Sequence, residues 1–216
     1  NDQCDVVAED VRQIDGGVYF VVRGLGQRFH VYVPQEGQHT VYNALAAIAV
    51  GLLRNVSPDS IQYQLGIFHN TGMRQRIFEE DGVPIIEDCY NAGPESMDAA
   101  LKVLKEHKAE GRRIAVLGDM LELGSRSMAE HYRVGRLVAQ SADLLLAYGK
   151  DSQRIIIGAV TGGMSQKCAV HYEDQEEMAA SLKRLAKPGD ILLFKGSRGM
   201  HMEKVLQMYL EQEKNS

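Results

Sequence analysis

Three short stretches of the chain concentrate side chains able to do chemistry. Glu87-Asp88-Cys89-Tyr90-Asn91-Ala92-Gly93-Pro94 sets two adjacent carboxylates beside a phenol and an amide. If it closes a strand, the two acids face opposite sides, so one can enter a salt bridge while the other meets a ligand hydroxyl, a metal-bound water or an ammonium. Leu117-Gly118-Asp119-Met120-Leu121-Glu122-Leu123-Gly124 carries two more carboxylates bracketed by glycines, which suits a sharp functional bend and an ordinary solvent turn alike. Lys195-Gly196-Ser197-Arg198-Gly199-Met200 puts a cation on each side of a Gly-Ser turn. Backbone donors with Lys195 and Arg198 suit a carboxylate or phosphate, though two solvated surface cations fit the same text. Earlier, His39 and Asn43 stand one helical turn apart on one face, placed to contact a base or metal, or simply to cap and pack.

These stretches need elements to position them. Gly17 to Val22 and the alternation of Phe29, Val31 and Val33 read as a hairpin around Arg23 to Gln27. After Gly37 the period changes to 3.6: Val41, Leu45, Ile48, Ala49 and Leu52 share a helical face, with Ala44, Ala46 and Ala47 on its flank. Ser57-Pro58 opens a short helix with Ile61 and Leu65 inward. Gly66 to Gly72 reads as a boundary, and strand and helix alternate beyond it, which signals a mainly parallel sheet with crossover helices. Strands are predicted at Val83 to Glu87, Arg113 to Leu117, Leu144 to Tyr148, Ile155 to Ile157 and Ile191 to Phe194. Helices are predicted at Pro94 to Glu110, Met128 to Ser141, Gln175 to Ala186 and Gly199 to Glu213. Pro94, the pair Ser127/Glu130 and the pair Asp174/Glu177 mark three of the starts. The chemical stretches then follow strand ends, where open parallel sheets gather ligands.

Composition narrows the classes. With 216 residues, 44% hydrophobic and 25% charged, the chain can bury a core without metal or disulfide staples. A net charge of −5 leaves no global field for a polyanion, so no nucleic-acid partner is expected. Gln38 to Leu53 is too short and polar to span a bilayer, and no signal peptide opens the chain, so no membrane insertion is expected. Cys4, Cys89 and Cys168 lack metal or disulfide spacing and favour a reducing compartment; Cys89 reads as a small residue beside a strand end. No G-x-x-x-x-G-K-S/T phosphate loop, G-x-G-x-x-G, H-E-x-x-H or G-x-S-x-G motif occurs. The chain opens without Met in what reads as the middle of an element, and it reads as a fragment.

Four stretches in register resemble the signatures of the Mur ligase family: Gln38-His39-Thr40-Val41-Tyr42-Asn43-Ala44-Leu45-Ala46-Ala47-Ile48-Ala49, Asp88 to Met97, Leu117 to Gly124 and Lys195 to Met200. The resemblance implies an α/β, Rossmann-like, mainly parallel sheet with flanking helices over residues 72–216, preceded in 1–71 by the C-terminal part of a central ATPase domain. It also implies missing N-terminal and central segments, including the phosphate loop. Within the family the motifs are most similar to the cytoplasmic branch that joins D-alanyl-D-alanine to UDP-N-acetylmuramoyl-tripeptide with ATP and Mg2+ in peptidoglycan precursor synthesis. On that pattern Asn43 matches an adenine contact with His39 beside it, Arg74 an interdomain nucleotide contact and Asp88 a ribose carboxylate. Tyr90 and Asn91 match the acceptor loop, Lys195, Ser197 and Arg198 the segment around the dipeptide, and Asp119 and Glu122 an acidic loop. No metal ligand and no catalytic residue is assigned within the chain. Two positions depart from the pattern: Thr40 stands where asparagine usually follows the histidine, and Gly93 replaces a second asparagine. A related Mur or folylpolyglutamate synthetase-like ligase, or a non-catalytic nucleotide-binding module, are the alternative readings.

Overall fold

Period-two hydrophobicity builds the first of two compact units, Asn1–His69 and Asn70–Ser216. The computed structural model describes residues 4–14, 16–68 and 73–211; the end of the expected boundary, 69–72, and the expected helix end at Glu213 lie outside the described residues. In the first unit β1 (Val6–Ile14), β2 (Gly17–Gly24) and β3 (Gln27–Val33) form an antiparallel sheet in that order. The hairpin of β2 and β3 is the one expected; β1 is an additional strand, bent by a bulge between Glu9 and Arg12. Val18, Phe20 and Val22 on β2 and Phe29, Val31 and Val33 on β3 share one core with α1 (Gln38–Leu53) and α2 (Pro58–Gly66). The face α1 buries is Thr40, Val41, Ala44 and Ile48; Leu45 and Leu52 are half-buried, and Ala46 and Ala47 face solvent. Ser57 caps α2 by accepting a bond from the Ser60 amide at 3.3 Å, as its Ser-Pro start announces.

In the second unit, near-continuous apolar runs make buried parallel strands. The six strands run in the order β4 (Arg76–Glu80), β5 (Val83–Asp88), β9 (Ile191–Lys195), β6 (Arg113–Gly118), β7 (Leu144–Tyr148) and β8 (Ala169–Tyr172). All neighbours are parallel except β4 with β5. Alternate residues feed two cores. Ala115, Leu117, Leu145, Ala147 and Leu193 meet α3 (Pro94–Glu106), α4 (Ser127–Ser141) and α5 (Gln153–Thr161). Ile114, Val116, Leu146, Leu192 and Phe194 meet α6 (Gln175–Leu185) and α7 (Met202–Leu210) on the other face. The chain steps from β5 through β6 and β7 to β8 with helices on the first face, then returns through α6 to insert β9 between β5 and β6. This reversal makes a switch point where the loops after β5, β6 and β9 adjoin.

The architecture expected from the sequence is present, with corrections. Ile155 to Ile157 is not a strand but lies in α5, where only Ile155 of the three isoleucines is buried. Its burial repeats at Gly158 and Ala159, a helical spacing that a β-branched triplet masks. Gly158 and Gly135 bring α5 and α4 into backbone contact: a Cβ at either would stand 2.1 Å from a carbonyl oxygen of the other helix. β4 and β8 are additional to the expected strands, although Asp81-Gly82, both with positive φ (50° and 74°), is the two-residue hairpin turn that joins β4 to β5. Ser127 is no cap: it is already helical, and its hydroxyl bonds Asp151 instead. Asp174 does cap α6, accepting from the Glu177 amide at 2.8 Å. The helix from Pro94 ends at Glu106, and the last helix begins at Met202 after a 3-10 turn over Arg198–Met200. Among the described residues no helix is long and apolar enough to cross a membrane.

Candidate functional site

The site lies at the carboxyl ends of β5, β9, β6 and β7. In the β5–β9 register Asp88 stands opposite Lys195. The Lys195 ammonium, on a side chain 1% exposed, donates to Asp88 Oδ2 at 2.5 Å and to the Asn91 carbonyl at 2.9 Å. The second Asp88 oxygen accepts from the Gln75 amide at 3.3 Å. Glu87 turns the other way, to Arg76 at 3.5 Å, so the adjacent acids divide as strand geometry requires, with both engaged in ion pairs. Cys89 is buried and its thiol faces the Phe194 carbonyl; burial, helped by Glu87 and Asp88, pushes it far above the usual thiol range, so it remains an unreactive packing group.

Ser197 ties the loops together. Its hydroxyl donates to the Ala92 carbonyl (3.1 Å) and accepts from the Leu121 amide (2.9 Å), while its own amide donates to the Asp119 carbonyl (3.0 Å). The Asp119 carboxylate extends the brace to the loop after β7, accepting from the amides of Ser152 (2.6 Å) and Asp151 (3.1 Å). Burial raises the Asp119 carboxyl above its ordinary range, against the pull of those two amides. Fully buried His131 supports the same loop: its Nε2 accepts from the Met120 amide at 2.9 Å, which leaves Nδ1 to donate to the Ser127 carbonyl at 2.7 Å and makes the ring neutral. Asp119 therefore shapes the loop, whereas Glu122 is exposed in a left-handed conformation (φ 65°).

The outward side chains differ in kind. Arg74 stacks its guanidinium 3.9 Å from the centroid of the Tyr90 ring, and both residues are exposed. The Tyr90 amide holds the Met73 carbonyl at 3.0 Å. Asn91 is exposed, with its amide oxygen accepting from the Ala92 amide. The Arg198 side chain is 53% exposed and touches Glu203 Oε1 and Met73 Sδ, both at 3.2 Å, through one nitrogen. His201, in a left-handed conformation, reaches the same Glu203 oxygen at 3.3 Å, while Glu203 Oε2 is buried without a partner. In the first unit His39 is half-buried and Asn43 exposed, one turn apart on α1; Thr40 is buried and donates to the Glu36 carbonyl at 3.2 Å. Of the two cations flanking the Gly-Ser turn, only Arg198 meets solvent. Sequence reasoning missed Glu203 and His131: Glu203 follows Arg198 by five residues across a 3-10 turn, a spacing that no helical pattern flags. The described residues contain no group of three or more His, Cys, Asp or Glu side chains able to hold a metal.

Comparison with known proteins agrees with this geometry. Residues 73–198 match the family model "Mur ligase, glutamate ligase domain". The UDP-N-acetylmuramoyl-tripeptide--D-alanyl-D-alanine ligase of Bacillus subtilis is 34% identical over 96% of this chain and 45% of its own length. The ligase of the same name from Escherichia coli is 31% identical over 96% of this chain and 45% of its own. The crystal structure of MurF from Acinetobacter baumannii superposes with a TM-score of 0.87 at 29% identity, covering 98% of this chain and 46% of that one. MurF of Thermotoga maritima, solved in complex with ADP, gives 0.78 at 26% identity over 95% of this chain and 46% of its own. The chain thus spans just under half the length of the relatives it matches, and by family model, identity and fold it belongs to the Mur ligase family.

Proposed function

We propose that this chain is the C-terminal portion of an ATP-dependent ligase that joins D-alanyl-D-alanine to UDP-N-acetylmuramoyl-tripeptide in the cytoplasm during peptidoglycan precursor synthesis. Residues 1–71 are then the end of the central ATP-binding domain and 72–216 the C-terminal domain. The observation that carries the reading is the shared name of the Bacillus subtilis and Escherichia coli relatives across 96% of the chain. An unactivated carboxylate is a poor electrophile, so a terminal carboxylate oxygen of the tripeptide first takes the γ-phosphoryl group of ATP, and ADP leaves with the electron pair of the broken P–O bond. The dipeptide amine then attacks the acyl carbon, its nitrogen gives up a proton to solvent as the amide forms, and inorganic phosphate leaves with the C–O electron pair. Magnesium would arrive with ATP and would offset charge on the phosphoryl oxygens; the described residues of this chain offer no cluster to hold it. The sequence holds no phosphate loop, so the side chains found here fit the outer parts of the substrates rather than the transferring group.

Arg198 takes the dipeptide carboxylate, since its exposed planar fork can pair both oxygens. Tyr90 and Asn91 face the acceptor, and Ser197 and Asp119 shape that loop cluster. Arg74 and Asp88 serve the nucleotide from the second unit; in the first, Asn43 with His39 is an adenine contact. Phosphate release by the full-length protein should require ATP, UDP-muramoyl tripeptide and D-alanyl-D-alanine together. Equal release with a single D-amino acid in place of the dipeptide would reject the assignment. The 216-residue chain alone should release none above a no-enzyme control.

A further inference from the structure

Lys195 has no route to a ligand in this structure. Its side chain is 1% exposed and its ammonium is held by two acceptors, the Asp88 carboxylate and the Asn91 carbonyl. A buried ammonium drawn from its counterion would leave two uncompensated charges, which is far costlier than leaving an exposed cation to do the binding. What the pair does is visible on its other side. Asp88 Oδ1 grips the Gln75 amide, Met73 is bonded to Tyr90, and between them Arg74 is laid on the Tyr90 ring at 3.9 Å. The path from Lys195 to the exposed Arg74–Tyr90 face is therefore continuous, and its first step is set by the β5–β9 register.

We propose that Lys195 is a positioning residue: through Asp88 it holds the 73–75 segment so that Arg74 lies on Tyr90, and nucleotide binding, not dipeptide binding, depends on it. The proposal rests on the nucleotide role given above to Arg74 and Asp88 and leaves the dipeptide carboxylate to Arg198; Lys195→Met, which removes no nucleotide contact, is therefore the deciding single variant. In the full-length protein, Lys195→Met, Asp88→Asn and the double variant are compared by two readouts: calorimetric binding of a non-hydrolysable ATP analogue, and the dipeptide KM at saturating ATP. Each single variant should weaken the analogue roughly tenfold, and the double variant should be no worse than the weaker single, because the two residues act as one unit. The dipeptide KM should stay within about twofold. A raised dipeptide KM with unchanged analogue binding would make Lys195 a substrate ligand, and losses that multiply in the double variant would make the two residues independent; either result overturns the proposal. If Lys195→Met does not fold, the double variant, which buries no charge at either position, carries both readouts with the same expected outcome. Wild-type protein that turns over no dipeptide would reject the ligase reading, while the analogue titrations would still judge Lys195.

Discussion

Ion pairs close the six-stranded sheet at both ends, but they are built differently. At the amino end Arg112 and Asp190 precede the paired strands β6 and β9. Asp190 receives the Arg112 amide (2.8 Å), Nε (3.3 Å) and Nη2 (2.6 Å) and the Lys187 amide (3.0 Å). Its acceptors are saturated from its own neighbourhood, and the result is a clasp. At the carboxyl end Asp88 and Lys195 spend their bonds on loops, and around them stand an exposed Arg198, a left-handed His201 and an unpartnered Glu203 oxygen. One end is satisfied and closed; the other holds its unspent polar groups toward the site, as expected of open parallel sheets that bind at strand carboxyl ends.

The largest effect should come from breaking the clasp. Removing one partner of a buried pair costs about 3–5 kcal/mol, and with Arg112 still 39% exposed the lower bound applies. Asp190→Ala should therefore cost about 3 kcal/mol of stability while leaving the KM of every substrate unchanged. Burial pushes the Asp190 carboxyl up, but the bonds from Arg112 and Lys187 together outweigh it and hold it below the usual range. A depressed carboxylate contributes its stability above the unfolded value of about 3.9 and loses it as pH falls through the lower folded value. The melting difference between wild type and Asp190→Ala should accordingly be full above about pH 5 and shrink on acidification from pH 4 downward. A difference that grows on acidification would show that the clasp is not what holds this end.

A middle-sized effect tests the open end. Arg198→Lys keeps the charge but loses the fork, and the full-length protein should show a dipeptide KM raised roughly tenfold, worth about 1.4 kcal/mol. Melting temperature and ATP KM should stay near wild type, because among the described residues Arg198 is ion-paired through the half-exposed contact to Glu203, which is worth little. An unchanged dipeptide KM would reject Arg198 as the clamp, and a defect confined to ATP would move it to the nucleotide.

The same contrast explains what could be read from the sequence. Buried runs such as Leu144–Ala147 within β7 and Ile191–Phe194 within β9 announce themselves because both faces are covered and every position is apolar. β4 hides because Arg76, Glu79 and Glu80 dilute an edge strand, although its Asp-Gly turn was legible. The site was half legible. Residue types at strand ends marked Asp88, Tyr90 and Arg198, but nothing local could show that Lys195 pairs with a carboxylate 107 residues away while Arg198, three positions on, faces solvent. That division is made by strand register, a property of the assembled sheet.

The smallest effect lies at Gly93, where the open end has room for improvement. Gly93 is the N-cap of α3 in an extended conformation (φ −141°, ψ 167°) open to any residue, and a Cβ there would meet nothing within 4 Å. With no side chain it offers no cap; instead the Ser96 hydroxyl accepts from the Gly93 amide and donates to its carbonyl, both at 3.0 Å. Gly93→Asn adds an oxygen able to accept from the first free amides of α3, worth a few tenths of a kcal/mol over glycine. It also narrows the unfolded ensemble, worth about 0.4–1 kcal/mol. A gain of roughly 0.5–1 kcal/mol should appear as a higher melting temperature. The dipeptide KM separates two meanings of the position: if an asparagine here contacts substrate, KM falls, and if it only caps, KM is unchanged. Capping needs only the free amides at the start of α3, so stability should rise whichever way KM responds. A melting temperature equal to or below wild type would show that this loop already sits at its optimum and that the sheet's two ends are less different than their ion pairs suggest.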